Sequence, residues 1–166
     1  MLLKFFLNSN SKAYLRSLAQ EFGESTNAIR MELNKFEQAG LLQSELKGNK
    51  KLFRANTRHP LFSNIHNLIL KHVGIDSIIF NVVEKLGDLE KVFLVGDFAL
   101  GQDAPVIDLI FIGKNLDKQY LLKLVEKAEG LIDRKIRYMV FNKEEFDEYM
   151  SSYTGVEPLL LWQNKK

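Results

Sequence analysis

The segment from Tyr14 to Arg54 constrains the fold most, because its apolar residues and glycines fall in a fixed order. A first apolar stripe at helical spacing ends directly at Gly23, a residue suited to ending a helix in the left-handed conformation. Ser25 can then cap a second helix by accepting a hydrogen bond from a free backbone N–H, and Gly40 ends that helix. The sequence therefore predicts two helices joined by a short turn. The first stripe consists of Leu15, Leu18, Ala19 and Phe22, and the second of Ala28, Ile29, Leu33 and Phe36.

Two short strands are predicted after the second helix, at residues 41–46 and 51–55. Residues 47–50 (Lys-Gly-Asn-Lys) fit a tight hairpin turn, with glycine and asparagine where positive φ is needed. A helix-turn-helix unit places its second helix in the DNA major groove, where asparagine pairs with adenine edges and arginine with guanine edges. A basic hairpin beside it is placed to meet phosphates. The residues expected to contact DNA are Ser25, Thr26, Asn27, Arg30, Asn34, Lys35, Lys47, Lys50, Lys51 and Arg54.

This segment resembles the winged helix-turn-helix domains of bacterial transcription regulators, of the ArsR/MarR-like type. The likeness is carried by Leu-Ala-x-x-Phe-Gly from Leu18, by Ile-Arg-x-x-Leu-x-x-Phe-x-x-x-Gly-Leu-Leu from Ile29, and by Gly-Asn-Lys-Lys-Leu-Phe-Arg-Ala-Asn from Gly48. The resemblance implies a DNA-binding domain over residues 1–58. Some winged helices bind proteins instead, so a protein partner stays open as an alternative.

The charge of the chain is unevenly distributed. Residues 1–58 hold 10 Lys+Arg and 5 Asp+Glu, a net +5, whereas residues 59–166 hold 13 and 16, a net −3. This distribution favours a nucleic-acid-binding front joined to a rear part that does not bind nucleic acid by charge. The 166 residues contain no cysteine, which excludes disulfides and thiolate chemistry. With no convincing signal peptide and no apolar run of membrane-spanning length, we expect a cytoplasmic protein that does not enter a membrane.

A linking helix is predicted over residues 59–73. Pro60 suits the first turn of a helix, and an apolar stripe at helical spacing follows, which makes this helix a candidate dimer seam. The three histidines are not spaced as metal ligands, so no metal site is expected. The stripe consists of Leu61, Phe62, Ile65, Leu68, Ile69 and Val73.

Helical and strand patterns alternate from Gly74 onward. The order predicts a small α/β sandwich with a mixed sheet over residues 74–166, so that the whole chain is an α+β protein of two domains. The predicted helices cover residues 75–86, closed by Gly87, and 117–131 and 143–150, and the predicted strands cover 91–95, 107–112, 136–141 and 158–162.

Residues 92–113 resemble the core of the nucleotidyltransferase superfamily, of the minimal polymerase-β-like type. In that family two glycines bring backbone close to a triphosphate, and two carboxylates stand one residue apart on the next strand. With a third carboxylate they hold two Mg²⁺ ions for phosphoryl-type transfer. Gly96 and Gly101 match the glycines, and Asp108 matches the second carboxylate.

The chain departs from that pattern at three places. Val106 stands where the first carboxylate belongs, Asp97 replaces the serine that touches phosphate, and the strand at 136–141 carries no carboxylate. A single carboxylate cannot organise two hard cations. The sequence therefore predicts a vestigial pocket, formed by Gly96, Asp97, Gly101 and Asp108, with no catalytic residue, no metal and no resident cofactor.

The sequence as a whole favours a DNA-binding transcriptional regulator that is not an enzyme. Its expected partners are double-stranded DNA, a second copy of the chain, and a small-molecule or nucleotide effector, with the rear domain serving dimerisation or ligand sensing. Two alternatives stay open. One is a Mg-dependent nucleotidyltransferase acting on a protein or small molecule, and the other is a protein-interaction adaptor or antitoxin-like partner.

Overall fold

The computed structural model describes residues 1–83, 86, 88–132 and 134–164, without the side chains of residues 81–83. The chain has a mixed α and β fold and divides into two compact units, Met1–Ile69 (unit 1) and Leu70–Lys166 (unit 2). The boundary falls inside the helix predicted over residues 59–73. The assignment of separate roles to residues 1–58, 59–73 and 74–166 stays a prediction.

Unit 1 combines short helices with a three-stranded antiparallel sheet of order β1-β3-β2. Its first strand was not predicted in the sequence analysis. Lys12 pairs in register with Arg54, because the central strand of the sheet has a free edge for it. The elements are α1 (Leu2–Phe6), β1 (Lys12–Tyr14), α2 (Leu15–Phe22), α3 (Thr26–Gln38), β2 (Leu42–Lys47), β3 (Lys50–Ala55) and α4 (Phe62–Val73), of which α4 continues into unit 2.

Local signals position α2, α3 and the hairpin. Gly23 ends α2 at φ +65°, and the side chain of Ser25 accepts a hydrogen bond from the Ala28 N–H, 3.1 Å away, at the start of α3. In the hairpin only Gly48 has a positive φ, at +62°, so the expectation that Asn49 shares it is wrong. A two-residue turn of the II′ type needs positive φ only at its first central residue.

The core of unit 1 is built from α1, α2, α3 and the sheet. Ile29 and Leu33 are buried on α3 as predicted, whereas Phe22, in the last turn of α2, is 37% exposed. The predicted stripe therefore stops one turn early, where Gly23 turns the chain away. The largest fully buried side chains of unit 1 are Phe5, Phe6, Leu7, Leu18, Leu33 and Leu42.

Unit 2 contains a four-stranded sheet of order β6-β5-β4-β7. The central pair β4 and β5 is antiparallel, β5 and β6 are parallel, and β4 and β7 are antiparallel, so the sheet is mixed, as predicted. The predicted helix end at Gly87 lies outside the described residues. The elements are α5 (Ile75–Val83), β4 (Leu89–Val95), α6 (Gly96–Ala99), β5 (Val106–Gly113), α7 (Lys118–Glu129), β6 (Lys135–Phe141), α8 (Lys143–Ser152) and β7 (Leu159–Gln163).

The two faces of this sheet follow from the alternation of side chains along β5. One face carries Ile110 and Ile112, which pack with Phe146 and Tyr149 of α8. The opposite face carries Leu109 and Phe111, which are also buried. On α7, Leu122 is 49% exposed, whereas the buried residues are Leu121, Leu124, Val125 and Ala128.

In the described part of the chain, no helix is both long enough and apolar enough to cross a membrane.

Candidate functional site

One face of α3 is polar and open to solvent. Ile29 and Leu33 point into unit 1, and the helical period of 3.6 residues turns the intervening positions outward. All the α3 residues that the sequence predicted to contact DNA are exposed, namely Thr26, Asn27, Arg30, Asn34 and Lys35.

A groove of about 610 Å³ lies between α3, the start of α2 and the hairpin. It contains four cationic side chains, Arg16, Arg30, Lys50 and Lys51, and no carboxylate is among the residues that line it. Like charges gathered in a concave surface focus a positive potential. The groove is therefore suited to a polyanion.

Only some of the residues predicted to contact DNA line the groove. Arg30, Asn34, Lys50 and Lys51 line it, together with Arg16, Tyr14 and Asn49, which the sequence analysis did not select. The sequence did contain an indication for Arg16, because Arg16 is a basic residue in the first turn of α2, the helix that precedes α3. Predicted residues outside the groove lining are Ser25, Thr26, Asn27, Lys35, Lys47 and Arg54.

Two of the lysines predicted to contact DNA already form ion pairs with glutamates at the protein surface. Lys51 lies 3.3 Å from Glu37, and Lys35 lies 3.0 Å from Glu32. The hydroxyl of Ser44 also donates to Glu37, and this hydrogen bond, followed by Lys51, lowers the pKa of the Glu37 carboxyl. Exposed ion pairs contribute only about 0–1 kcal/mol, so both lysines can exchange these partners for phosphates.

Ser25 has a structural role. Its hydroxyl caps α3 through the Ala28 N–H, although the residue is exposed. Its expected contact with DNA stays a prediction beside this capping role.

The second candidate site lies near the start of β5 in unit 2. Asp108 is paired in register with Arg137 on the parallel strand β6. The Arg137 guanidinium donates to both carboxylate oxygens, from Nε to Oδ1 and from Nη2 to Oδ2, the latter at 3.0 Å. This hydrogen bonding to Asp108 raises the pKa of Arg137 further above its usual value. Asp108 and Arg137 are 29 positions apart in the sequence. The strand register that pairs them could not be predicted from the sequence.

The turn at Gly96, directly after β4, lies close to the Asp108 carboxylate. Gly96 has φ +67°, and a Cβ at this position would lie 2.8 Å from Oδ2 of Asp108. Asp97 is exposed, and Gly101 ends α6, where its N–H donates to the carbonyl oxygen of Phe98 at 2.9 Å. The structure thus brings Gly96 and Asp108 into contact and adds Arg137, which the sequence analysis did not select.

Tyr153, which follows α8, belongs to the surroundings of Asp108. Burial is the largest cause that raises the pKa of the Tyr153 hydroxyl, and the electrostatic influence of its neighbours Tyr149 and Asp108 acts in the same direction. Its ring packs on Tyr149 with a centroid separation of 5.3 Å.

The donor set at Asp108 does not fit the pair of Mg²⁺ ions that the nucleotidyltransferase resemblance implies. Both oxygens of Asp108 are taken by Arg137, and the neighbouring pair in register, Val106 and Lys135, offers no carboxylate. Within the described residues, no cluster of three or more His, Cys, Asp or Glu side chains could hold a metal ion. Mg²⁺ requires near-octahedral oxygen ligation.

Comparison with known proteins gives a likeness in structure only. No protein-family profile matches the chain, and no curated protein is significantly similar to it. A crystal structure described as a "putative nucleotidyltransferase" from Sulfolobus solfataricus is similar at 20% identity and a TM-score of 0.41, over 58% of this chain and 85% of the other. This finding contradicts the expectation that the chain is not an enzyme, and that expectation is withdrawn. At this level of similarity the match says nothing about substrates or residues of this chain.

Proposed function

We propose that unit 1 is a winged helix-turn-helix domain that binds double-stranded DNA, and that the chain regulates transcription. The observation that carries this proposal is the groove between α3 and the hairpin, with four cations and no lining carboxylate. In this arrangement α3 enters the major groove and the hairpin follows the phosphate backbone.

The residues divide into two roles. Asn27, Arg30 and Asn34 lie on the exposed face of α3 and have the donors and acceptors that read base edges. Lys50 and Lys51 at the hairpin, with Arg16 on α2, would neutralise phosphates, which fixes position without reading sequence.

A homodimer is part of the proposal, because two copies can engage half-sites about one helical turn apart. Unit 2 would then serve dimerisation or the sensing of a small molecule or nucleotide.

The first experiment measures affinity for a mixed-sequence duplex by fluorescence anisotropy over a range of salt concentrations. We expect Lys50→Ala and Arg16→Ala to weaken binding to all duplexes alike, and each to reduce the salt slope by about 0.9. Lys123→Ala removes the same charge from an exposed position on α7 and serves as the control. Equal slopes for all three variants and the unaltered chain would contradict the proposal.

The second experiment selects bound sequences from a random duplex pool. Arg30→Ala and Asn27→Ala should relax base preference at one or two positions each, since a good bidentate contact discriminates by about 1–3 kcal/mol. If both variants retain the preference of the unaltered protein, α3 does not read the major groove.

Nucleotidyl transfer by unit 2 is a second candidate function. It is favoured by the order of β4, the Gly96 turn and Asp108, with the turn in contact with the carboxylate. The test is consumption of each NTP in the presence of Mg²⁺ or Mn²⁺, compared between the unaltered chain and Asp108→Ala. Turnover that Asp108→Ala abolishes supports this candidate, and no turnover with any NTP and metal removes it.

A further inference from the structure

Asp108 and Arg137 are direct neighbours across the parallel pair β5 and β6. Adjacent strands lie about 4.8 Å apart, so two side chains in register on the same face meet without any backbone adjustment. Their contact is therefore a property of the sheet and not of a mobile loop.

The contact uses both oxygens of the carboxylate. Nε of Arg137 donates to Oδ1 and Nη2 donates to Oδ2. A bidentate guanidinium is the geometry in which arginine pairs most strongly with a carboxylate, and arginine keeps its charge at every physiological pH. The oxygens that a hard cation would need are thus occupied by a permanent positive charge.

The two partners differ in exposure. The Asp108 side chain retains 17% of its accessible surface, whereas the Arg137 side chain retains 75%. A carboxylate this enclosed needs a partner because solvent only partly stabilises its charge. Gly96 lies close to the same carboxylate, since a Cβ added at this position would stand 2.8 Å from Oδ2.

We propose that Arg137 is the built-in cation of Asp108, taking the place that a divalent ion would occupy, so that this edge of unit 2 binds no divalent cation until Arg137 is removed. The proposal concerns unit 2 and is independent of DNA binding by unit 1. It predicts that loss of the guanidinium, and not a change elsewhere, opens the site.

The test is direct titration of the full chain with Mn²⁺, followed by electron paramagnetic resonance of the free ion. Four proteins are compared: the unaltered chain, Asp108→Asn, Arg137→Asp, and the double variant with both changes. Arg137→Asp sets two carboxylates in register on neighbouring strands, which is a ligand pair suited to a hard cation. Asp108→Asn combined with Arg137→Asp has one carboxylate and is the matched control.

The expected result has two parts. The unaltered chain and Asp108→Asn bind Mn²⁺ equally weakly, and Arg137→Asp binds it about tenfold more tightly than the double variant. Thermal melting should show the same order, with millimolar Mn²⁺ raising the Tm of Arg137→Asp more than that of the control. Arg137→Met, which removes the charge but keeps the apolar stem, replaces Arg137→Asp if circular dichroism shows that the latter is unfolded. Its matched control is then Asp108→Asn combined with Arg137→Met.

Two results would overturn the proposal. One is Mn²⁺ binding by the unaltered chain that Asp108→Asn abolishes, which would also favour the nucleotidyl transfer candidate. The other is a folded variant without Arg137 that binds Mn²⁺ no better than the control. The first comparison needs no variant at position 137, so it decides the question even if those variants fail to fold.

Discussion

Gly96 leaves open the space that the Asp108 carboxylate fills: a Cβ on Gly96 would stand 2.8 Å from Oδ2 of Asp108. At φ +67° the backbone of Gly96 is also in the left-handed region. Two separate costs therefore oppose any side chain here, the backbone conformation and the contact.

Gly96→Ala should destabilise unit 2 by more than the backbone term alone, which is about 1–2 kcal/mol. Gly23→Ala is the control for that term, because Gly23 has φ +65° and nothing within 4 Å of the added Cβ. Denaturant unfolding of both variants measures the difference. In an Asp108→Ala background the excess cost of Gly96→Ala should disappear, and its persistence would show that the contact is not the cause.

The start of β6 is held by Glu129, whose carboxylate accepts from the Ile136 N–H at 2.7 Å and pairs with Lys135 at 2.9 Å. The hydrogen bond from Ile136 is the larger cause of the lowered pKa of Glu129. A lowered pKa in the folded state contributes stability that is present above the ordinary value of 4.5 and is lost as the pH falls through the folded value.

Glu129→Gln should therefore be less stable than the unaltered chain at neutral pH, and the gap should narrow as the pH falls below the ordinary value of 4.5. Urea unfolding of both proteins at neutral pH and at a pH well below that value provides the measurement. Glu126→Gln, an exposed change on the same helix, should show no such pH-dependent gap. A gap of the same size at both pH values would refute the assignment.

Ser25 is tested separately from DNA binding because it caps α3. Ser25→Ala should lower the stability of unit 1 by about 1 kcal/mol, whereas Ser25→Asp, which also accepts from the helix N–H groups, should retain it. Thermal melting distinguishes the two. Equal loss in both variants would mean that the hydroxyl serves another contact.

Glu37 restrains the hairpin cation Lys51 and places a negative charge near the groove. If unit 1 binds DNA as proposed, Glu37→Gln should strengthen binding by about threefold at low salt, since an exposed ion pair contributes about 0–1 kcal/mol. The amide of glutamine can still accept from Ser44. The comparison is with Glu126→Gln in unit 2, and unchanged or weaker binding by Glu37→Gln would argue against Lys51 as a phosphate contact.

Much of the local structure was predictable because its signals lie within a few residues of one another. The stop at Gly23, the cap at Ser25 and the positive φ at Gly48 each depend on neighbouring backbone groups. Buried positions such as Leu33 follow from helical periodicity. The error at Phe22 occurs at the end of an apolar stripe, where burial depends on what the rest of the fold places opposite.

The sequence by itself determined where most helices, turns and strands form, β1 excepted, and that Asp108 lacks the carboxylates of the pattern it resembles. Only the tertiary structure decided that Arg137 fills the space beside Asp108 and that Arg16 joins the hairpin lysines in one groove. Both depend on how distant segments align, Arg137 through the register of two parallel strands. Such alignment is set by the packing of whole sheet faces, and no short stretch of residues encodes it.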